Sequence, residues 1–187
     1  FKFKLNMKKV LLSAVAILAF GFANAQDDAK KGSSDMKFGV KAGYSSTNFT
    51  GDADTDPRGG FYIGGLVDFA VSEKFHVQPE LMYSTEGAAD DLGVDYLRIP
   101  VMAKYYVAEG FSLQAGPEIA FKIATQEDVV DELTKSMDFG LGFGAGYELS
   151  SGLMFDARYN FGLSNISDVD GVDFGNAGFQ IGLGYRF

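Results

Sequence analysis

The chain has no cysteine, no tryptophan and one histidine, His76, among its 187 residues. Without cysteine there is no disulfide framework and no thiolate metal site. With one histidine the usual general-base and nucleophile constellations are hard to assemble. Basic residues are also short: 16 Lys and Arg stand against 25 Asp and Glu, a net charge of −9. That balance excludes nucleic acid as a partner, because phosphate recognition needs a basic patch. Beyond residue 25 no apolar run approaches the roughly eighteen residues of a membrane-crossing helix. Proline is scarce, at four residues.

What is present is aromatic, small and alternating. Phe and Tyr number 18 and 9, and 24 residues are Gly. From Gly175 to the end, Ala177, Phe179, Ile181, Leu183, Tyr185 and Phe187 alternate with Asn176, Gly178, Gln180, Gly182, Gly184 and Arg186. A strand of that pattern has one face for lipid and one for a polar or crowded interior. At the other end Met7-Lys8-Lys9, the apolar stretch Val10 to Phe22 and Ala23-Asn24-Ala25 read as a secretory signal with an A-x-A cleavage site. Residues 1–6 are set aside as a misassigned or non-native start, 7–25 as the signal peptide, and 26–36 as a polar, disordered lead-in. Removing residues 1–25 takes away Lys2, Lys4, Lys8 and Lys9 and no acid, so the charge moves from −9 to −13.

Residues 37–187 are expected to form one domain: an all-β, eight-stranded, antiparallel, up-and-down transmembrane β-barrel. The strands are placed at 37–49, 60–71, 74–85, 95–107, 110–123, 137–149, 152–163 and 175–187. Short connections at Ser72-Glu73, Ala108-Glu109 and Ser150-Ser151 take turns with longer ones at 50–59, 86–94, 124–136 and 164–174. Outer-membrane barrels have this arrangement, with short periplasmic turns and longer extracellular loops. Tyr44, Phe75, Tyr83, Phe111, Phe121, Tyr147, Phe161 and Phe187 are candidates for the two interfacial aromatic girdles. Pro79, Pro100 and Pro117 fall inside strands three to five, where each removes a ladder donor. Bulges or a short irregularity near the rim are expected there.

Alternation assigns Lys41, Asp68, Glu80, Arg98, Lys104, Glu118, Lys122, Glu148, Asp156, Arg158 and Arg186 to the interior. These are five acids and six bases, near the balance that buried charges require. A barrel of eight strands is just wide enough for side chains to fill. A plugged core of ion pairs is therefore weighed against a narrow solute path. The alternate glycines of strand six leave room on one wall, for long side chains or for water.

The remaining acids gather in the long connections: Asp52, Asp54 and Asp56; Glu86, Asp90, Asp91 and Asp95; Glu127, Asp128, Asp131 and Glu132; Asp168, Asp170 and Asp173. Soluble, solvated loops are the ordinary explanation. The sharper one is binding of divalent cations, bridging to anionic lipid head groups. Asp52, Asp54 and Asp56 partly match the start of a calcium loop, but Pro57 stands where such a loop needs Gly and Ile63 where it needs Glu. His76 lies on the inward face near a short turn and is read as structural.

Several segments resemble the PorT-like family of small outer-membrane β-barrel domain proteins. They are Val77 to Ser84; Tyr96 to Val101 with Lys104-Tyr105; Leu113 to Glu118; Asp156 to Leu163; and Gln180 to Phe187. The resemblance spans essentially the whole chain after the signal and takes in the three prolines. It implies an eight-stranded barrel in the outer membrane and no assigned activity. Its name-giving members are associated with protein secretion and surface export.

The expected role is a non-catalytic surface scaffold or interaction protein in a bacterial outer membrane, embedded in lipid and without a cofactor. Its partner at the loops is left open. The rivals are a narrow pore or accessory part of an export machine, and a membrane-face enzyme. A soluble lipocalin-like barrel, with its apolar side chains inward, is the structural alternative.

Overall fold

The computed structural model describes residues 36–51, 57–87, 93–125, 136–164 and 174–187. The segments read as start, signal and lead-in, up to residue 35, lie outside the described residues. So do Asp52, Asp54 and Asp56 and the other acids of residues 88–92, 126–135 and 165–173.

Period-2 alternation with abundant β-branched and aromatic residues produces eight strands: β1 Met36–Gly51, β2 Arg58–Ala70, β3 Phe75–Gly87, β4 Gly93–Ala108, β5 Phe111–Thr125, β6 Met137–Glu148, β7 Leu153–Gly162 and β8 Phe174–Arg186. Each pairs antiparallel with its sequence neighbours, and β1 also pairs with β8, so the sheet closes. Lys41 shows the closure at one residue, facing Gly64 of β2 on one side and Gly184 of β8 on the other. Closure leaves no unpaired edge, which is what a backbone in hydrocarbon demands.

The short turns keep their backbone groups bonded. Val71 N donates to Phe75 O at 2.9 Å, and Leu149 N donates to Leu153 O at 2.9 Å. Gly110 (φ 71°) and Gly152 (φ 90°) take the left-handed conformation that lets these turns reverse tightly.

The faces follow the alternation. On β4, Val94, Tyr96, Arg98, Pro100, Met102 and Lys104 are buried while Ile99, Val101, Ala103 and Tyr105 are exposed. On β6, Phe139, Leu141 and Phe143 point out. The buried set contains Lys41, Asp68, Glu80, Arg98, Lys104, Glu118 and Arg158, and the exposed set is dominated by Phe, Tyr, Leu, Ile and Val. A soluble barrel has the opposite arrangement, so the lipocalin-like alternative falls. Phe75, Tyr105, Phe111, Tyr147, Tyr185 and Phe187 stand out beside the short-turn end, and Tyr44, Phe61, Phe139 and Phe179 toward the other. These are the positions of two interfacial belts.

Two expectations need correction. β3 runs on to Gly87, so Glu86 is a strand residue and not a loop acid, and Asp95, grouped above with the loop acids, lies inside β4. Asp95 faces outward and accepts a 2.9 Å hydrogen bond from Tyr83 Oη. Glu86 turns into the lumen and is 2% exposed. The prolines, secondly, cause no bulge. Pairing of β2 with β3 passes from Leu66↔Glu80 to Phe69↔Val77 across Pro79, in one register. Pairing of β3 with β4 likewise passes from Pro79↔Val101 to Met82↔Arg98, and that of β4 with β5 from Pro100↔Glu118 to Ala103↔Ala115. The three prolines sit side by side around Val101, at mid-strand. Their ladder gaps merge into one small interruption that the flanking pairs bridge. The register shifts lie elsewhere, between Asp95 and Tyr96 and between Tyr106 and Ala108.

Candidate functional site in the barrel lumen

Inward side chains from all eight strands meet in three layers. The layer nearest the short turns centres on Asp68. His76 Nδ1 lies 2.5 Å from Asp68 Oδ1, Arg186 Nη1 3.4 Å from the same oxygen, and Lys104 Nζ 3.5 Å from Oδ2. Arg186 also pairs with Glu148, which accepts a 3.1 Å hydrogen bond from Tyr106 Oη. Lys104 donates to Gln78 Oε1 at 3.1 Å, and the His76 and Tyr106 rings meet edge-on at 4.8 Å. Two carboxylates, Asp68 and Glu148, meet two bases, Lys104 and Arg186, here. The one histidine is a wedge in this packed layer, held by Asp68 and against Tyr106.

The middle layer is a network of four charged side chains and two glutamines. Arg158 forks onto Glu80, with Nη1 to Oε2 at 3.0 Å and Nη2 to Oε1 at 2.8 Å, and reaches Gln114 Oε1 at 3.0 Å. Lys41 Nζ lies 2.6 Å from Asp156 Oδ1 and 3.7 Å from Glu80 Oε1. Gln78 and Gln114 donate to Glu80 and Asp156 at 2.8 and 2.5 Å. Two acids again meet two bases. Bidentate guanidinium–carboxylate geometry is the strong form of such a contact, and desolvated charges need it.

The third layer, toward the long connections, is built on Arg98. Its Nε donates to Glu86 Oε1 at 2.5 Å and its Nη1 to Glu118 Oε1 at 2.6 Å, and Nη2 also bonds Glu86. Ser84 Oγ and Asn176 Nδ2 add donors to Glu86 at 2.7 and 2.5 Å. Asp138, buried nearby, accepts from Ser164 Oγ at 2.8 Å. Lys122 is half-buried at this end of β5.

The room left by the glycines of β6 is taken. A Cβ on Gly142 would come within 2.6 Å of Asn160 Oδ1 and 3.3 Å of Arg158 Cδ, and one on Gly140 within 3.0 Å of Glu118 Oε1. Glycine is required there because long polar side chains lie flat against that wall. Three enclosed spaces among the described residues of the lumen are small, about 10, 10 and 20 Å³. Each is about the size needed for one water molecule.

Of the charges assigned inward by alternation, the structure joins Glu80, Arg158, Lys41 and Asp156 in one layer, Arg98 and Glu118 in another, and Asp68, Lys104, Glu148 and Arg186 in the third. Glu86 and Asp138 were missed. Asp138 has the inward parity of β6, a signal already in the sequence. Glu86 was hidden by an early end to β3. Among the described residues no three His, Asp or Glu side chains are grouped to hold a metal by themselves.

A model of the outer membrane protein beta-barrel domain matches residues 24–168. No curated relative matches the sequence. Among solved structures, Ail, the attachment invasion locus protein of Yersinia pestis, is similar over 81% of this chain and 98% of its own, at 18% identity and a TM-score of 0.52. The same protein in complex with the heparin analogue sucrose octasulfate gives a TM-score of 0.50 over 81% of this chain and 99% of its own, at 18% identity. Neisserial surface protein A is similar over 80% of this chain and 97% of its own, at 13% identity and a TM-score of 0.54. At these identities the likeness is one of fold.

Proposed function

The chain belongs to the outer membrane protein beta-barrel domain family of the bacterial outer membrane, and from that premise we propose that it is a closed, non-catalytic scaffold presenting acidic loops at the cell surface. The observation that carries the reading is the filled lumen. Three layers of paired charges cross the barrel, and the spaces between them are of single-water size. A path for hydrated ions needs a continuous opening, and opening one here means separating desolvated ion pairs. The same packing argues against catalysis, since His76 is engaged with Asp68 and wedged against Tyr106.

With the lumen closed, function falls to the connections. Residues 52–56, 88–92, 126–135 and 165–173 hold twelve acids and one base, Lys135. Their field favours cationic partners, either a basic protein surface or divalent cations shared with anionic lipid. The partner chemistry is thus opposite to the polyanion carried by Ail in its complex. Within the family we place the chain in the PorT-like subgroup, on the segments of β3, β4, β5, β7 and β8 that carry that resemblance. The test is single-channel recording of the refolded protein in a planar bilayer. An electrically silent barrel is expected, and stable ion-selective openings would replace the scaffold with a pore.

A further inference from the structure

A trench of about 590 Å³ crosses the outer wall of β6, β7, β8 and β1. Small-molecule sites span about 300–1,000 Å³, so its size is that of a ligand site. The floor follows one cross-strand row: Gly146↔Asp156, Asp156↔Gly182 and Gly182↔Gly43. This row has inward parity, so the floor is backbone, and the Asp156 carboxylate lies on the lumen side with Lys41. Outward side chains stand in a rank on either side. Phe155, Leu183 and Ala42 form the rank nearer the short turns, and Ala145, Ala157, Ile181 and Tyr44 the farther one. The trench is wide because Ala42, Ala145 and Ala157 carry only a methyl group. Phe111, paired across to Tyr147, stands at its β6 end.

Two observations define what fills it. Pairing runs unbroken through the three ladders of the floor, so its backbone donors and acceptors are spent within the sheet. No charged side chain among the described residues faces the trench. An occupant is therefore held by shape and dispersion alone, which suits hydrocarbon and not a head group or a peptide strand. The course of the trench is the second observation. Counted from the short-turn end of each strand, the floor lies two residues in on β6, three on β7, four on β8 and seven on β1. It climbs from the short-turn aromatic belt toward the middle of the membrane, as an acyl chain does from its head group. Three inter-strand spacings give it a length of about 14 Å.

We propose that this trench seats one acyl chain of a phospholipid from the periplasmic leaflet, entering beside Phe111 and Phe155 and ending near Tyr44. The trench is continuous with the lipid-facing wall, where the surrounding medium is hydrocarbon. A chain lying in it meets protein on its floor and both flanks, whereas flat wall offers one side. Left unfilled, the lining loses those contacts outright. The seated lipid therefore exchanges more slowly than its neighbours. This seat is independent of whether the lumen conducts.

The test is photo-crosslinking of the refolded full barrel in phosphatidylethanolamine vesicles that contain a phospholipid with a diazirine at mid-chain. Adducts are mapped by peptide mass spectrometry. Labelling is expected to concentrate on Ala145, Ala157 and Ile181. Ala157→Phe fills the trench and should remove most of that labelling. Ala145→Phe is a second filling variant should the first fail to fold. Ala103→Phe, exposed on β4 across the barrel, should leave the pattern unchanged. Labels spread evenly around the barrel would overturn the proposal, and so would a pattern that survives the filled trench. A wild-type barrel that sediments as a dimer while Ala157→Phe sediments as a monomer would assign the trench to a second copy and equally overturn it.

Discussion

Replacing Arg158 with methionine tests whether the lumen is a desolvated ion-pair core. Arg158 is 2% exposed, and the side chain of its partner Glu80 is fully buried. The substitution keeps a long apolar stem but removes three hydrogen bonds, two to Glu80 and one to Gln114. It also leaves Glu80 and Asp156 to share one cation, Lys41. Breaking a buried pair from one side costs about 3–5 kcal/mol, because the remaining charge loses its compensation. Arg158→Met should therefore lower the unfolding free energy by about that amount. The double variant Arg158→Met with Glu80→Gln should recover much of the loss, since neither charge is then stranded. Urea unfolding of the refolded barrel in lipid vesicles, followed by circular dichroism and by the gel shift of folded against unfolded chain, gives both numbers. A loss under about 1 kcal/mol, the level of exposed pairs, would refute the desolvated core and favour a hydrated lumen.

Two further outcomes follow from the walls. Gly144→Ala should cost about 1–3 kcal/mol, because its Cβ would stand 2.1 Å from Ala157 O. Gly175→Ala, whose nearest neighbour is at 3.6 Å, should stay within about 0.5 kcal/mol; equal costs in the same urea assay would contradict the packing. On the outer face, Phe143→Arg on mid-β6 should cost about 2–4 kcal/mol in a bilayer, and Val71→Arg beside a short turn about 0–1. If the two costs came out alike, Phe143 would not face the hydrocarbon midplane.

The strand count and the two faces were readable because both are local. An inward Arg158 and an outward Tyr159 differ only in parity, and parity survives an error of a few residues in a strand end. Glu86 failed for a related reason. It has the inward parity of Gln78, Glu80 and Ser84, but a strand ended at residue 85 made it a loop acid. Pro79, Pro100 and Pro117 were legible as a problem and not as its solution. Their adjacency around Val101 depends on the registers of three strands together.

The amino-acid sequence by itself determined the alternation, the outward-facing aromatics and the number of strands, since each is written in neighbours a few residues apart. Tertiary structure decided who meets whom inside. Arg158 finds Glu80 at a separation of 78 residues and Asn176 finds Glu86 at 90. Such pairings depend on closure, stagger and the side-chain length needed to cross the barrel. Closure also sorted the inward charges into three layers, a division that no count along the chain contains.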